Sequence, residues 1–510
     1  MNAITAGDDL LRKAVASPSE DIARTIMAQA GMRDDDIEKS INVGTGLVAY
    51  DLQAPAKNLY PVNTPIIKAL PRVGGGVGSA TNWKQVNALI GSGFDNTGWV
   101  PEGQRAGQMS YSVSSRNAAY VTIGEEDSAT FEAINAGRTF EDIQASMKRR
   151  LLQKLMLKEE MAVLFGNASL NLGTPATPTL SSSGTGKTLP SATYSVIVVA
   201  LTGEGYQNSS LANGVATTKS VTGADGKTFT LSGGSSQKSA AQTLAISLGA
   251  QLNCSVTAIQ GAVAYAWYVG TAGNEKLEAI TTINSAVFSA PLAGTGQAAT
   301  VVTADNSANS SYAFDGLYTW AAKAGSGAYV NTLATGTAGA GTTLTASGRG
   351  SIVEIDAMMQ AMWDASQVSV DVLYVNSQQL KDITTKVLSS ASGPLLQYFQ
   401  NPSSGEYALT AGGHIEYYYN PFMQDGGQKV PIRIHPKVPP GTILGWCNNL
   451  PLQYQSNETP NVAEIKTRQD YYAIDWPITT RQRQAGVYAE ETLAVYAPFA
   501  MGVIGNVAAG

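Results

Sequence analysis

The stretch that most constrains this chain runs from Thr139 to Phe165, TFEDIQASMKRRLLQKLMLKEEMAVLF, and is followed by Gly166-Asn167. Apolar residues at Ile143, Met147, Leu151 and Leu155, continued by Leu152, Val163 and Leu164, recur at helical spacing. Lys148, Arg149, Lys154 and Lys158 fall largely outside that stripe. The pattern predicts one amphipathic helix, with Thr139 and Asp142 as a capping box and Gly166 as a left-handed C-terminal cap. At about 1.5 Å per residue it spans roughly 40 Å, a length that suits a spine to which smaller elements attach.

The segments before the helix read as attachments. Short helical patterns occupy Asp8 to Val15 and Ser19 to Ala30, and Asp34-Asp35-Asp36 reads as a solvated turn without a ligand loop. From Gly44 to Pro71, prolines at 55, 61, 65 and 71 rule out a long helix and favour an extended arm. Ala80 to Leu89 and Met109 to Ile123 carry β-character on either side of GSGFDNTGWVPEGQRAG, which predicts a long two-stranded hairpin. A ribbon of that length buries no core by itself, so its natural cover is a neighbouring subunit, the alternative being its own domain.

After the helix, Asn171 to Asp305 differs in composition: ten charged residues, none of them Arg, in a background of Ser, Thr, Gly and Ala. Six candidate strands (Tyr194 to Leu201, Lys227 to Leu231, Leu252 to Ile259, Val263 to Gly270, Glu275 to Ile283, Ala286 to Ala290) predict an inserted β-sandwich of immunoglobulin-like or fibronectin-like type, with a low-complexity linker as the alternative. Tyr265, Trp267 and Val269 alternate onto one face. Next come a helix from Ile352 to about Asp364, the strand VDVLYV and the helix QQLKDITTKVL, an α/β unit. From His414 the signals are β again, in a tail expected to close a sheet beneath the long helix. The fold class is therefore α+β with an all-β insertion.

Composition narrows the function. Only 14% of residues are charged and 52 are glycine, so large surfaces are neutral and suited to packing against neighbours. A net charge of −6 argues against wrapping nucleic acid by phosphate neutralisation. Cys254 and Cys447 are expected as two buried free thiols folded in a reducing cytosol, and no apolar run reaches the length of a membrane span. Catalytic signals fail on inspection. Ser183-Gly184-Thr185-Gly186-Lys187-Thr188 imitates a phosphate-binding loop, but Ser181 stands in place of its first glycine and Pro190 breaks the helix that should follow. Gly74-Gly75-Gly76-Val77-Gly78 reads as a flexible joint. His414 and His435 read as strand-end residues, and Glu125-Glu126-Asp127 and Glu490-Glu491 as surface ion-pairing groups, since adjacent strand residues face opposite ways. No catalytic, cofactor or metal residue is assigned.

The order of parts resembles the major capsid proteins of tailed bacteriophages, the Hong Kong ninety-seven type fold. The carrying strings are YPVNTPIIKALPR leading to NWK, WVPEGQRA at the hairpin tip, EEMAVLFGNASLNLG at the helix end, EIDAMMQAMWD, and AEETLAVYAPFAMGVI. The resemblance implies an N-terminal arm (1–56), a peripheral domain with the spine helix (57–79 and 125–170), an extension loop (80–124), the insertion (171–310), an axial α/β domain (311–430) and a returning part of the peripheral domain (431–510). It further implies a structural protein, not an enzyme, that assembles through pentamers and hexamers in the host cytoplasm into an icosahedral virion shell. That shell would enclose double-stranded DNA touched nonspecifically, carry the insertion on its outer face, and meet portal, scaffolding or decoration proteins. The intersubunit contact candidates are Trp99, Glu102 and Arg105 on the loop and Lys148 and Arg149 on the helix. Lys84 is the only lysine between Trp83 and Gly124 and lies near the loop's base, so the Lys–Asn cross-link made by some of these proteins is not expected. A tail-associated or surface adhesin, binding a ligand through the insertion, is the alternative.

Overall fold

The computed structural model describes residues 60–91, 97–138, 141–223, 225–347, 350–390, 397–400, 407–410, 415–423, 426–448, 450 and 461–509. The N-terminal helical patterns, Asp34 to Asp36, Thr139 and His414 lie outside the described residues. Contacts divide the chain into Met1–Tyr60 with Gly137–Asp142, and Pro61–Ala136 with Ile143–Gly510. The following concerns the second unit, which is α+β.

The long helix runs over Ile143–Phe165. At about 1.5 Å per residue its 23 residues span roughly 35 Å. Its interior is Leu, Met, Lys, Glu, Gln, Arg and Ala with no Gly or Pro, which favours helix at nearly every position. Met147, Leu151 and Leu155 pack with Ala129, Ala485, Val487 and Ala489 of a four-stranded sheet. That sheet is ordered Arg72–Val73, Ala463–Asp475, Gln482–Val495, Val121–Thr130. The helix's last residues, Val163, Leu164 and Phe165, enter a central core with Leu317, Trp320, Trp446 and Leu493.

Gly166 ends the helix for a different reason from the one expected. Its φ is not in the left-handed region. Instead, a Cβ there would lie 2.5 Å from the Ala162 carbonyl oxygen and 2.6 Å from that of Phe314, so only glycine lets the segment before Leu317 cross the helix end. The proline-rich arm is likewise not extended throughout: Pro65 opens a short helix, Pro65–Ala69, at the first-turn position proline tolerates.

A six-stranded mixed sheet forms the second layer, ordered Tyr329–Thr332, Met501–Gly505, Ile443–Trp446, Val372–Val375, Gln428–Ile434, Tyr417–Asn420. The helix Val353–Ser366 buries Ile355, Met358, Met359 and Met362 in the core of this unit, and Ser377–Ser390 is its second helix. The boundary expected at 430/431 falls inside the sheet. Three of the tail's strands and the C-terminal one pair here, while only 463–495 returns to the sheet under the long helix.

The described residues of 171–310 form two facing sheets and a separate two-stranded hairpin, Thr218–Thr222 with Thr228–Ser232. One has three strands, Ser285–Phe288, Gln251–Ser255 and Thr179–Ser183; the other has four, Lys276–Thr281, Ala264–Gly270, Ala192–Leu201 and Gln242–Ile246. Val196, Val198, Leu252, Tyr265, Trp267 and Val269 fill the space between them. The opposite face of the four-stranded sheet is buried too, its Ile197, Val199 and Tyr268 packing with Val215, Ala299 and Val302. Cys254 and Cys447 are buried and form no disulfide, and burial pushes the Cys254 thiol up to about 12, which leaves it inert.

This segment is bolted to the rest rather than tethered. Val263 lies in the central core, and a Cβ on Gly203 would sit 2.2 Å from Phe165 Cδ1. The Asn506 side chain donates to Asn284 Oδ1 at 3.0 Å and accepts from the Asn284 backbone N–H at 2.8 Å, while Asn284 Nδ2 donates to the Val256 carbonyl at 2.7 Å. Asn284→Ala removes the two of these bonds that its side chain makes, leaving the backbone one, and is expected to cost about 1–3 kcal/mol in chemical denaturation; a change under about 0.5 kcal/mol would show that the seam carries no stability.

Candidate assembly interface

The hairpin pairs Ala80–Ile90 with Ser110–Ala119, from Ala80 opposite Ala119 to Ile90 opposite Ser110. It stops earlier than the sequence suggests: Tyr120 breaks the strand, and Val121–Thr130 crosses to pair with Gln482–Val495 beneath the long helix. The two halves of one apolar run thus serve different sheets, Ser110–Ala119 pairing with Ala80–Ile90 and Val121–Thr130 with Gln482–Val495.

The root of the ribbon is anchored. The Trp83 ring meets Tyr496 edge-on at 5.5 Å and Trp320 at 6.4 Å, against the central core. Residues 81, 83 and 85, with 114, 116 and 118 across from them, are half-buried while their neighbours are exposed. Farther out this alternation ends. The register slips by one residue between Val86 and Ala88, so Asn87 is an extra residue, a β-bulge. Val86 opposes Val113, and beyond the bulge Leu89 opposes Tyr111. Counting faces through the slip puts all four on one side, opposite the side that carries Trp83. All four are exposed, Leu89 by 67% and Tyr111 by 63%. Contiguous apolar surface on a two-stranded ribbon is what an association surface looks like.

The contact candidates are spread over two places. Trp99, Glu102 and Arg105 lie past the ribbon's described end and are exposed, Trp99 by 91%. Arg149 is exposed on the long helix, whereas Lys148 is already engaged, its Nζ 2.7 Å from Asp475 Oδ2 in the same chain.

Two consecutive glutamates near the helix end, which no pattern of residues marks, organise the ribbon's approach. Glu160 is fully buried: its two carboxylate oxygens accept from the Ile66 and Ile67 backbone N–H groups, each at 2.9 Å, capping the short helix. His435 lies 2.7 Å from Glu160 Oε1. The Lys437 N–H donates to His435 Nδ1 at 3.1 Å, so the ring proton sits on Nε2 and points at Glu160. Glu159 takes the other side. It accepts from Arg72 Nη1 and from the Tyr471 hydroxyl, while Arg72 Nη2 reaches Asp470 Oδ1 at 2.6 Å and Glu491 Oε2 at 3.0 Å. Glu491, expected at the surface, is wholly buried, whereas its neighbour Glu490 faces outward and pairs with Arg468 at 2.6 Å. Opposite facing of adjacent residues holds; the reading that both serve the surface does not. Arg72, beside these carboxylates, is held above its usual value despite the opposing cost of burial. Among the described residues, no group of three or more His, Cys, Asp or Glu side chains is placed to hold a metal ion.

No family model matches the chain, and no curated protein matches it. Among solved structures it is similar to the holo-SrpI encapsulin complex from Synechococcus elongatus, at 9% identity over 94% of this chain and 96% of that one, with a TM-score of 0.38. It is also similar to the capsid of Myoviridae phage XM1 (8% identity, 89% and 96% covered, TM-score 0.38). A third likeness is the capsid of the native GTA particle (9% identity, 92% and 100% covered, TM-score 0.40).

Trp83→Ala removes the ribbon's anchor and is expected to cost about 2–3 kcal/mol, less than a fully buried Trp because Trp83 is half-buried. Trp83→Phe is expected to recover most of this. Equal losses in thermal unfolding for the two variants would show that the ring does not anchor the hairpin.

Proposed function

We propose that this chain is a shell-forming capsid protein of the tailed-phage kind. The observation that carries the reading is the hairpin: a ribbon rooted by Trp83 in the central core whose outer half turns Val86, Leu89, Tyr111 and Val113 to solvent on one face. The order of the other parts supports it: a ribbon, then a long helix over a sheet, then a mixed α/β unit, with the C-terminal strands shared between the two sheets.

In this reading the outer ribbon lies over a neighbouring copy and buries its apolar stripe there. Trp99, Glu102 and Arg105 meet that neighbour, and Arg149 is the open cationic partner on the long helix, since Lys148 is satisfied by Asp475. The copies close into pentamers and hexamers of an icosahedral virion shell around double-stranded DNA, with portal, scaffolding or decoration proteins as further partners. The 171–310 unit, an immunoglobulin-like sandwich, stands on the outer face. Many modest contacts made at once give the shell its stability, so no single interface has to be strong.

Electron microscopy of the chain expressed alone tests this. Closed shells or capsomer rings are expected from the parent. With Leu89→Ser and Tyr111→Ser combined, assembly is expected to fail while monomer stability changes by less than about 1 kcal/mol, both positions being exposed. A parent that stays monomeric at assembly concentrations, or a double variant that assembles as well as the parent, would overturn the reading.

A further inference from the structure

The buried carboxylates at the hairpin root are arranged for more than holding strands together. Glu491 is faced by Glu159 from the long helix, by Arg72 from the edge strand, and by Asp470 and Tyr471 from the adjoining strand. Its cross-strand partners are Thr467 and Val121. On the strand that carries Val121, Glu125 is taken up by Lys158 and Glu126 by the Tyr488 hydroxyl. Asp470 is over half exposed, and water screens it. What remains in the dry interior is two carboxylates, Glu159 and Glu491, and one guanidinium.

One guanidinium neutralises one carboxylate. Glu491 Oε2 accepts from Arg72, but Glu491 Oε1 is buried with no hydrogen-bond partner among the described residues. As a second bare anion, Glu491 would leave that oxygen unsatisfied beside Glu159. As an acid it can donate to the Glu159 carboxylate, which the same guanidinium holds beside it through its other terminal nitrogen. Burial first and the Glu159 charge second push the Glu491 carboxyl up to about 8.

We propose that Glu491 is held as the acid, donating to the Glu159 carboxylate, and that the root of the hairpin is therefore a latch that opens as the pH rises. The second negative charge created on deprotonation has to be hydrated, and the cover that can move aside is the edge strand Arg72–Val73. That strand is two residues long and pairs only with Ile465 and Lys466. It runs directly into a glycine joint, with Gly75 at φ +84° and Gly78 at φ +75°, where the chain turns into the ribbon. Opening the strand frees the joint and with it the ribbon's angle. The proton leaves to solvent. This device is independent of the capsid reading, since it needs only the folded chain.

Because the folded value lies above that of a free carboxylate, the pair's contribution is complete in acid and lost as the pH climbs through about 8. Hydrogen exchange of the full chain, corrected for intrinsic rates, reads it at Val73 and at the Gly76 amide, which donates to the Thr467 carbonyl at 3.0 Å. The opening constant is expected to rise about tenfold per pH unit on approaching that value, one proton being released per opening. Glu491→Gln and Glu159→Gln are each expected to flatten the slope, and Asp470→Asn to keep it. The infrared difference between the parent and Glu491→Gln should show a protonated carboxyl band at pH 7, beyond that of Glu204, which burial pushes up to about 7. A flat profile in the parent, an unchanged slope in Glu159→Gln, or no such difference band would each overturn the proposal, and the parent's own profile decides it should Glu491→Gln fail to fold.

Discussion

Two adjacent carboxylates on the long helix, Glu159 and Glu160, hold this structure's parts in register. Glu160 fixes the start of the short helix at Pro65 and accepts a hydrogen bond from His435, just past the end of a strand in the six-stranded sheet. Glu159 fixes Arg72 and Tyr471 in the four-stranded sheet. One turn of one helix thus positions both sheets and the segment that enters the hairpin. Buried carboxylates are costly unless every oxygen is engaged, and here both Glu160 oxygens and both Glu159 oxygens have donors. Geometry, more than net stability, is what such contacts secure.

Below this joint the packing is conventional. The apolar stripe of the helix covers a sheet of mostly small residues, Ala129, Ala485 and Ala489, which lets the helix lie close. Its last residues run into a core continuous with the insertion through Val263, so the insertion borrows stability from the spine and gives some back. Large neutral surfaces and few charges leave the molecule to be organised by a handful of fully used ones.

Much of this was legible from residue order. The stripe from Ile143 to Leu164, the helix beginning near Ile352 and most strands of the insertion follow from periodicity, because burial on one face writes a period into the sequence. Thr179–Ser183, Thr218–Thr222 and Gln242–Ile246 did not announce themselves: they are short, rich in Ser and Thr, and lie at sheet edges or in a separate two-stranded hairpin, where burial selects weakly. The break at Tyr120 was hidden for the opposite reason, since β-character runs on unchanged while the partner strand switches. Lys-Glu-Glu-Met looks like solvated helix surface, and Glu159, Glu160 and Glu491 became distinguishable only when partners from residues 66, 67, 72, 435 and 471 arrived in space. The exposed candidates Trp99, Glu102 and Arg105 came from resemblance to a family, and no period marks them.

The bulge at Asn87 has a consequence for how such a ribbon changes over time. In a regular ladder Leu89 would stand on the same side as Trp83, and the outer apolar stripe would be divided between two faces. One extra residue acts as a phase shift: it lets a single continuous strand present its root to its own core and its outer half, turned over, to something else. Point substitutions can only tune the chemistry of either half, whereas losing or gaining one residue at this position would turn the outer half of this strand over against its partner and split the stripe between two faces at a stroke. Single-residue length changes there are thus the most abrupt way for a chain of this kind to acquire or abandon a partner.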